Sequence, residues 1–281
     1  MNTKLPSSVR LIEIAPGYPV FEIVHPTCTA RVALHGAHVM SWKPANEEEV
    51  LYLSPDAVYK EGKAIRGGIP VCWPWFNKHP ADPKQPSHGL VRGRFWEFLE
   101  ASEDASGVML RVGIRDGIWN AELTVKAGEE LEVALESKNI SEVPIVVSGA
   151  LHSYLGVSDI SQVRVVKLDG CAYMDTVGQP TMRTQNGDVT FDREVDRIYE
   201  SSSSVLLVDD LSGRTILIEK SGSPSTVLWN PWVEKAAALG DMPAEDYRKF
   251  CCIEAAIAND RAEIVMPGGS HVLMTRISVE E

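Results

Sequence analysis

Short runs of alternating apolar and polar residues, separated by turn-forming clusters, constrain the fold of this chain more than any other feature of its sequence. The clearest run is Glu130–Ser137, in which Leu131, Val133 and Leu135 alternate with glutamate or alanine. A period of two is that of an antiparallel strand with one buried face. Eleven further runs predict strands, at Val20–Val24, Arg31–Leu34, Val39–Trp42, Val108–Ile114, Pro144–Val147, Val163–Leu168, Val205–Val208, Thr215–Ile218, Cys252–Ile257, Ala262–Val265 and His271–Ile277.

Helical periodicity is weak along the whole chain. Single helical turns are expected only near Pro55–Lys60 and Ala244–Lys249. Clusters of glycine, proline and asparagine separate the strands, as at Pro267–Gly269. Many short strands with few helices between them predict an all-β sandwich or barrel, and we expect one domain over residues 1–281.

The charge balance excludes several classes of partner. Lys and Arg total 27 against 39 Asp and Glu, a net charge of −12, so binding to nucleic acid or to an anionic membrane is not expected. The chain has no long apolar run and its first residues do not resemble a signal peptide. The five cysteines form no Cys-x-x-Cys pair, which favours reduced thiols without a metal. We therefore expect a cytoplasmic protein.

Local clusters of arginine and histidine are notable in so acidic a chain. Arg66 stands beside two glycines, and its planar guanidinium group can donate two parallel hydrogen bonds to a phosphate or another oxyanion. Within Ser87–Trp96, His88 is accompanied by Arg92 and Arg94, a set that would also suit a solvated loop. Nearby tryptophans admit two interpretations, because Trp73 and Trp75 could stack on a sugar face or pack in the core.

Two further residues have the chemistry of proton transfer. His152 follows the apolar run Ile145–Val147, where it is either a hydrogen-bonded core residue or an acid–base group that titrates near neutral pH. Glu254 lies inside an otherwise apolar strand, where a carboxylate is costly unless it is paired or used. Burial should raise its pKa towards that of a general base, so we favour a functional role.

Other familiar sites are absent from the sequence. His35 and His38 imitate a metal motif, but three residues apart on one strand they would face opposite ways. The chain contains no phosphate loop, no Gly-x-Ser-x-Gly elbow and no dinucleotide fingerprint.

Six motifs in order, spanning about Phe21 to Ile277, resemble the aldose 1-epimerase (galactose mutarotase-like) superfamily, and in particular its hexose-6-phosphate branch, the glucose-6-phosphate 1-epimerases. These motifs are Arg66–Pro70, His88–Arg92, Leu151–Tyr154, Asp196–Tyr199, Trp229–Trp232 and Gly240–Pro243 followed by Cys252–Glu254. The resemblance implies a large antiparallel β-sandwich with a cleft on one face. It also implies an isomerase that needs no metal or other cofactor, and we expect a monomer.

The resemblance assigns roles to six side chains: His152 as general acid, Glu254 as general base, Asp196 on sugar hydroxyls, His88 near the reacting centre, and Arg66 with Arg92 on the phosphate. The chain departs from the family pattern His-Gly-Phe-Ala-Arg at Leu90 and Val91, and it has Ser87 where a glutamine often precedes the histidine. Arg94 is an additional cation, and the sequence leaves open whether it belongs to the surface or to the site.

The implied reaction interconverts the α and β anomers of a hexose 6-phosphate by ring opening and closure. Two alternatives remain open at this point. One is a mutarotase of free aldoses such as galactose. The other is a carbohydrate-binding β-sandwich without catalysis, which would use Trp73, Trp75 or Trp229 as platforms and would not require a carboxylate at Glu254.

Overall fold

The computed structural model describes residues 5–280, and β-strands make up most of its regular structure. In chain order the strands are β1 (Val9–Glu13), β2 (Pro19–His25), β3 (Cys28–Ala33), β4 (His38–Pro44), β5 (Val71–Cys72), β6 (Glu97–Asp104), β7 (Gly107–Asp116), β8 (Trp119–Gly128), β9 (Leu131–Asn139), β10 (Ile145–Val147), β11 (Gly149–Leu151), β12 (Tyr154–Gly156), β13 (Val163–Val166), β14 (Ala172–Asp175), β15 (Thr181–Thr184), β16 (Val189–Thr190), β17 (Val195–Tyr199), β18 (Val205–Asp209), β19 (Arg214–Ser221), β20 (Ser225–Asn230), β21 (Phe250–Ile257), β22 (Glu263–Val265) and β23 (Ser270–Glu280). One α-helix, α1 (Trp232–Leu239), and four 3-10 helices are also present in the described chain, the latter at Val91–Gly93, Ile160–Gln162, Ala244–Lys249 and Asn259–Arg261.

Two large antiparallel sheets form the body of the molecule. The nine-stranded sheet has the order β16-β13-β18-β19-β23-β9-β8-β7-β6. The eight-stranded sheet has the order β15-β14-β17-β20-β21-β11-β5, and β12 also pairs with β21. Strand β23 lies against β21 and β11, and the facing side chains form one continuous core. The predicted all-β, antiparallel sandwich is confirmed. A four-stranded sheet, β1-β2-β3-β4, and a two-stranded ribbon, β10-β22, complete the strands.

Strand β9 shows how the sequence pattern produces this core. Leu131, Val133 and Leu135 are at most 1% exposed, while Glu132, Ala134 and Glu136 lie on the outer face. Burial of each such side chain contributes about 1.5–3 kcal/mol of transfer free energy, so the alternation fixes which face of the sheet turns inwards.

Strand β21 positions the functional face of the eight-stranded sheet. All eight of its residues are buried, because it lies in the middle of the sheet with β20 on one side and β11 and β12 on the other. Side chains alternate along the strand, so Ile253 and Ala255 join the main core and Glu254 points to the opposite face. Glu254 thus belongs to the face that β17 and β20 extend.

The structure confirms the twelve predicted strands and adds eleven. Some of the additional strands are very short, such as β5 and β16, and β15 is polar and exposed, whereas β8 and β20 are longer, largely buried strands that the sequence patterns did not predict. The helical turn expected at Ala244–Lys249 is present as a 3-10 helix, but the one expected at Pro55–Lys60 is wrong, since turns and bends occupy that segment. Helix α1 was not predicted, because eight residues give too little periodicity. No helix among residues 5–280 has the length and hydropathy to cross a membrane.

His35 and His38 do not lie on one strand, so that premise of the sequence argument is wrong. A turn at Gly36 and Ala37 separates them, and β4 begins at His38. Both rings are buried and bonded within the fold, His35 to the Tyr18 hydroxyl at 2.8 Å and His38 to a backbone carbonyl at 2.9 Å. They are structural histidines.

Candidate active site

His152 and Glu254 meet on the functional face of the eight-stranded sheet. His152 follows β11 immediately, Glu254 is in the middle of β21, and their Nε2 and Oε1 atoms are 3.3 Å apart. The Glu254 side chain is 1% exposed and that of His152 is 12% exposed. Within the described residues, His152 Nδ1 and Glu254 Oε2 have no hydrogen-bond partner. Buried polar atoms are nearly always satisfied, so this pair is organised for a ligand.

The environment of the pair disfavours charge on either group. Burial lowers the pKa of His152 well below its usual value, and electrostatic interactions with His88, Arg92 and Arg66 lower it further. Burial raises the pKa of Glu254 well above its usual value, as expected from the sequence, and the carboxylate of Asp196 adds to this rise. Both shifts favour the uncharged forms, a protonated carboxyl beside a neutral imidazole.

A tight glycine turn positions Arg66. Gly67 has φ +99°, and a Cβ there would lie 2.4 Å from the Tyr52 carbonyl oxygen, so only glycine fits. Arg66 donates from Nε (3.0 Å) and Nη2 (3.2 Å) to the two carboxylate oxygens of Asp241, and from Nη1 to the Tyr154 hydroxyl (2.9 Å). These bonds use three of its five N–H groups and leave two for a ligand.

His88 enters the cleft from a second strained turn. Its φ is +64°, and the next residue, Gly89, has φ +77° with no room for a Cβ, which would lie 1.9 Å from the Trp73 carbonyl oxygen. The Asn77 N–H donates to His88 Nδ1 (3.4 Å), which places the ring proton on Nε2. Burial and the nearby arginines lower the pKa of His88 to about 4, so at neutral pH it is an uncharged hydrogen-bond donor. Its ring centre is 6.2 Å from that of His152.

Arg92 is the least neutralised cation of the site. Its Nη2 donates to the Ser87 carbonyl oxygen (2.9 Å), and it has no ion-pair partner among residues 5–280. Arg94, two residues further on, is instead paired with Asp116 at 2.9 Å, which makes it a structural residue. Because its charge is uncompensated, Arg92 lowers the pKa of the neighbouring histidines.

Asp196 closes the other side of the cleft. It lies on β17 opposite Trp229 of β20, whose ring centre is 5.8 Å from that of His152. Burial raises the pKa of Asp196, and Lys235 of helix α1 opposes this rise, with its Nζ 3.7 Å from Oδ2. The helix therefore supplies a cation that favours the ionised form of Asp196.

The fold brings all six predicted site residues to one face of the sheet. Trp73 and Trp75 are not platforms, because both are buried and donate their indole N–H groups to Ser137 and to the Pro86 carbonyl. Sequence reasoning gave no role to three residues of the cleft: Tyr154, Asp241 and Lys235. Only the fold reveals their contacts, since Asp241 and Lys235 are far from their partners in the chain.

Similarity to known proteins identifies the family of the chain. The family model of aldose 1-epimerase matches residues 19–278. The chain belongs to the aldose 1-epimerase family. A curated relative from Escherichia coli K12, named "Putative glucose-6-phosphate 1-epimerase", is 36% identical over 259 residues, which cover 88% of this chain and 86% of the relative. A relative of the same name from the plant Cenchrus ciliaris is 35% identical over 264 residues, covering 86% and 78% respectively.

Solved structures show the same architecture for this aldose 1-epimerase. A Salmonella typhimurium protein described as a "putative mutarotase" superposes with a TM-score of 0.92 at 31% identity, covering 99% of this chain and 96% of that one. A protein from Synechocystis at 14% identity, with a TM-score of 0.79 over 99% of both chains, shares the fold. The chain is thus an isomerase of the epimerase type with a small-molecule sugar as its substrate.

Proposed function

We propose that this enzyme is a glucose-6-phosphate 1-epimerase, which interconverts the α and β anomers of a hexose 6-phosphate. The observation that carries the proposal is the buried pair of His152 and Glu254, 3.3 Å apart and near Arg92, a cation without an ion-pair partner in the described part of the chain. The names of its Escherichia coli and Cenchrus ciliaris relatives support the phosphorylated substrate.

The pair accepts one proton from the sugar and donates one to it, so its own proton count is unchanged by ring opening. Ring opening removes a proton from the anomeric hydroxyl and delivers one to the ring oxygen, and closure on the other face reverses both transfers. Glu254 as carboxylate accepts the first proton and His152 as imidazolium donates the second. A bound phosphate carries about −1.5 to −2 charges at neutral pH, which favours the imidazolium over the neutral ring. Each positioned acid or base contributes about 10²–10⁴-fold to the rate.

The surrounding residues bind the sugar in this proposal. His88 donates its Nε2 proton to a sugar oxygen near the anomeric carbon, and Asp196 accepts hydrogen bonds from sugar hydroxyls. Arg92, with the two free N–H groups of Arg66, binds the phosphate. The reaction requires no electron transfer and no covalent intermediate.

Saturation-exchange NMR between the anomers of glucose 6-phosphate tests the proposal. Glu254→Gln and His152→Ala should each reduce enzymatic exchange by at least about 100-fold, because each removes one proton-transfer group. His271→Ala, outside the cleft on β23, is the matched control and should retain exchange. Near-normal exchange in either cleft variant, with a native circular dichroism spectrum, would show that the pair is not catalytic.

Two other functions give different results in the same experiment. A mutarotase of free aldoses would exchange glucose or galactose at least as fast as glucose 6-phosphate. A binding module would hold the sugar tightly without exchange, and the polar cleft with its buried carboxylate does not favour it. The reduced thiols and acidic charge support a cytoplasmic enzyme, and gel filtration tests the expected monomer.

A further inference from the structure

Tyr154 connects the phosphate end of the cleft to the proton-transfer pair. Its hydroxyl accepts a hydrogen bond from Arg66 Nη1 at 2.9 Å, and its ring stacks on the imidazole of His152 with centres 4.9 Å apart and planes 12° apart. Tyr154 is 2% exposed. Tyr154 thus contacts both the arginine and the histidine directly.

The backbone reinforces the same connection. The Tyr154 N–H donates to the Gly68 carbonyl (2.9 Å), and the His152 N–H donates to the Pro70 carbonyl (3.0 Å). The segment that carries Arg66 is therefore bonded at three points to the segment that carries the proton donor. These bonds give a direct route by which a displacement of the Arg66 turn would reach the segment of His152.

Asp241 fixes the direction in which Arg66 acts. Its two carboxylate oxygens accept from Nε and Nη2, a bidentate arrangement that holds the guanidinium plane. With the plane held, Nη1 is directed at the Tyr154 hydroxyl. Asp241 also compensates much of the charge of Arg66, so this arginine contributes more through its geometry than through its field.

We propose that Tyr154 couples the Arg66 turn to His152, so that a phosphoryl group bound at Arg66 raises the turnover rate as well as the affinity. The inference rests on the proposed function, since it requires a phosphorylated sugar in the cleft. Tyr154 is a positioning residue: it touches the proton donor, not the reacting atoms. Binding energy from a remote part of the substrate raises kcat when the interaction is stronger in the transition state than in the ground state.

The expected change in kcat follows from the one hydrogen bond between Arg66 and the Tyr154 hydroxyl. A hydrogen bond to a charged group is worth a factor of about 10 to 150, and small displacements of a catalytic group cost similar factors.

Tyr154→Phe removes the hydroxyl and keeps the ring. With glucose 6-phosphate we expect kcat to fall about 10-fold or more while KM changes by less than about threefold. Exchange of free glucose should remain within about twofold of wild type, because no phosphate engages Arg66. Tyr199→Phe, which removes a buried hydroxyl bonded to Gln185 at 2.8 Å, is the matched control and should leave both sugars unaffected.

Inorganic phosphate supplied separately gives a second measurement. Exchange of free glucose by the wild type should rise and saturate with added phosphate, after subtraction of enzyme-free exchange, and Tyr154→Phe should bind phosphate without this rise. Asp241→Asn, which releases the guanidinium plane, should reduce kcat for glucose 6-phosphate and spare free glucose. This variant serves if Tyr154→Phe does not fold.

Three outcomes would overturn the coupling: equal losses of kcat for both sugars in Tyr154→Phe, a loss confined to KM, or phosphate activation that persists in the variant. Failure of the proposed function would look different. In that case the wild type itself would not exchange the anomers of glucose 6-phosphate faster than buffer.

Discussion

Arg92 gives the sharpest prediction about the substrate. Replacement by glutamine, Arg92→Gln, keeps a polar side chain of similar reach and removes the positive charge. In the structure Arg92 donates one hydrogen bond, to the Ser87 carbonyl, and this exposed carbonyl can bond to water instead. The substitution should therefore affect a bound phosphate far more than the fold.

The magnitude follows from the number of free donors. One bond to Ser87 leaves four N–H groups on Arg92, whereas Arg66 has two left and its charge is offset by Asp241. A hydrogen bond to a charged group contributes about 1.5–3 kcal/mol, so loss of one should weaken glucose 6-phosphate about 10- to 150-fold. Arg66→Gln should have the smaller effect on affinity.

The assay is the concentration dependence of anomer exchange for glucose 6-phosphate and for glucose. Arg92→Gln should raise KM for the phosphorylated sugar and leave free glucose within about twofold. Arg94→Gln is the matched control, because that arginine is two residues away and already paired with Asp116. Equal losses for both sugars, or an equal effect of Arg94→Gln, would refute the assignment of Arg92 to the phosphate.

Two further predictions concern stability. Because folding raises the pKa of Glu254 above 4.5, the wild type loses stability as the pH rises from about 4.5 to the folded pKa. Glu254→Gln cannot ionise, so its stability relative to wild type should increase over that range, by about 1.4 kcal/mol for each unit by which the pKa is raised. Thermal melts at several pH values measure this difference. A flat difference with pH would contradict the raised pKa. Gly89→Ala should lower the melting temperature and weaken exchange, since a left-handed alanine costs about 1–3 kcal/mol and its Cβ overlaps the Trp73 carbonyl. Gly170→Ala, at φ +75° with open space around it, should show the strain alone, and an equal loss there would mean that the overlap is unimportant.

The fold class was predictable because strand alternation is a local property. In β9 the alternation of apolar and polar residues shows which face each side chain occupies. Predicted strands such as β21, which is buried on both faces, were recognisable instead as short apolar runs. Strands such as β15, which is exposed along its whole length, have no such pattern and form only because β14 provides a pairing edge. The bounds of helix α1 are determined more by the residues that precede and follow it, Pro231 and Gly240, than by its own periodicity.

The proposed catalytic pair was predictable for a different reason. Glu254 is conspicuous because a carboxylate in an apolar strand has a large desolvation cost, and this cost can be recognised without knowing any partner. Its partner His152 is 102 residues away in the chain, and their 3.3 Å separation depends on the pairing of β11 with β21. Contacts such as that of Arg66 with Asp241, made across long loops, leave no local trace in the sequence.

Stability and activity measured on the same variant distinguish the two reasons for burying a carboxylate. A structural carboxylate, like that of Asp246, which accepts from the Tyr52 hydroxyl at 2.8 Å, is satisfied by its neighbours, and its neutralisation should cost stability. Glu254 has one oxygen without a partner and a raised pKa, so its neutralisation should increase stability above pH about 4.5 while abolishing exchange. Opposite signs in the two measurements are expected only when a fold tolerates an unfavourable group because the reaction requires it. Loss of both together would instead make Glu254 a structural residue, and the proton-accepting role would have to be assigned to another group in the cleft.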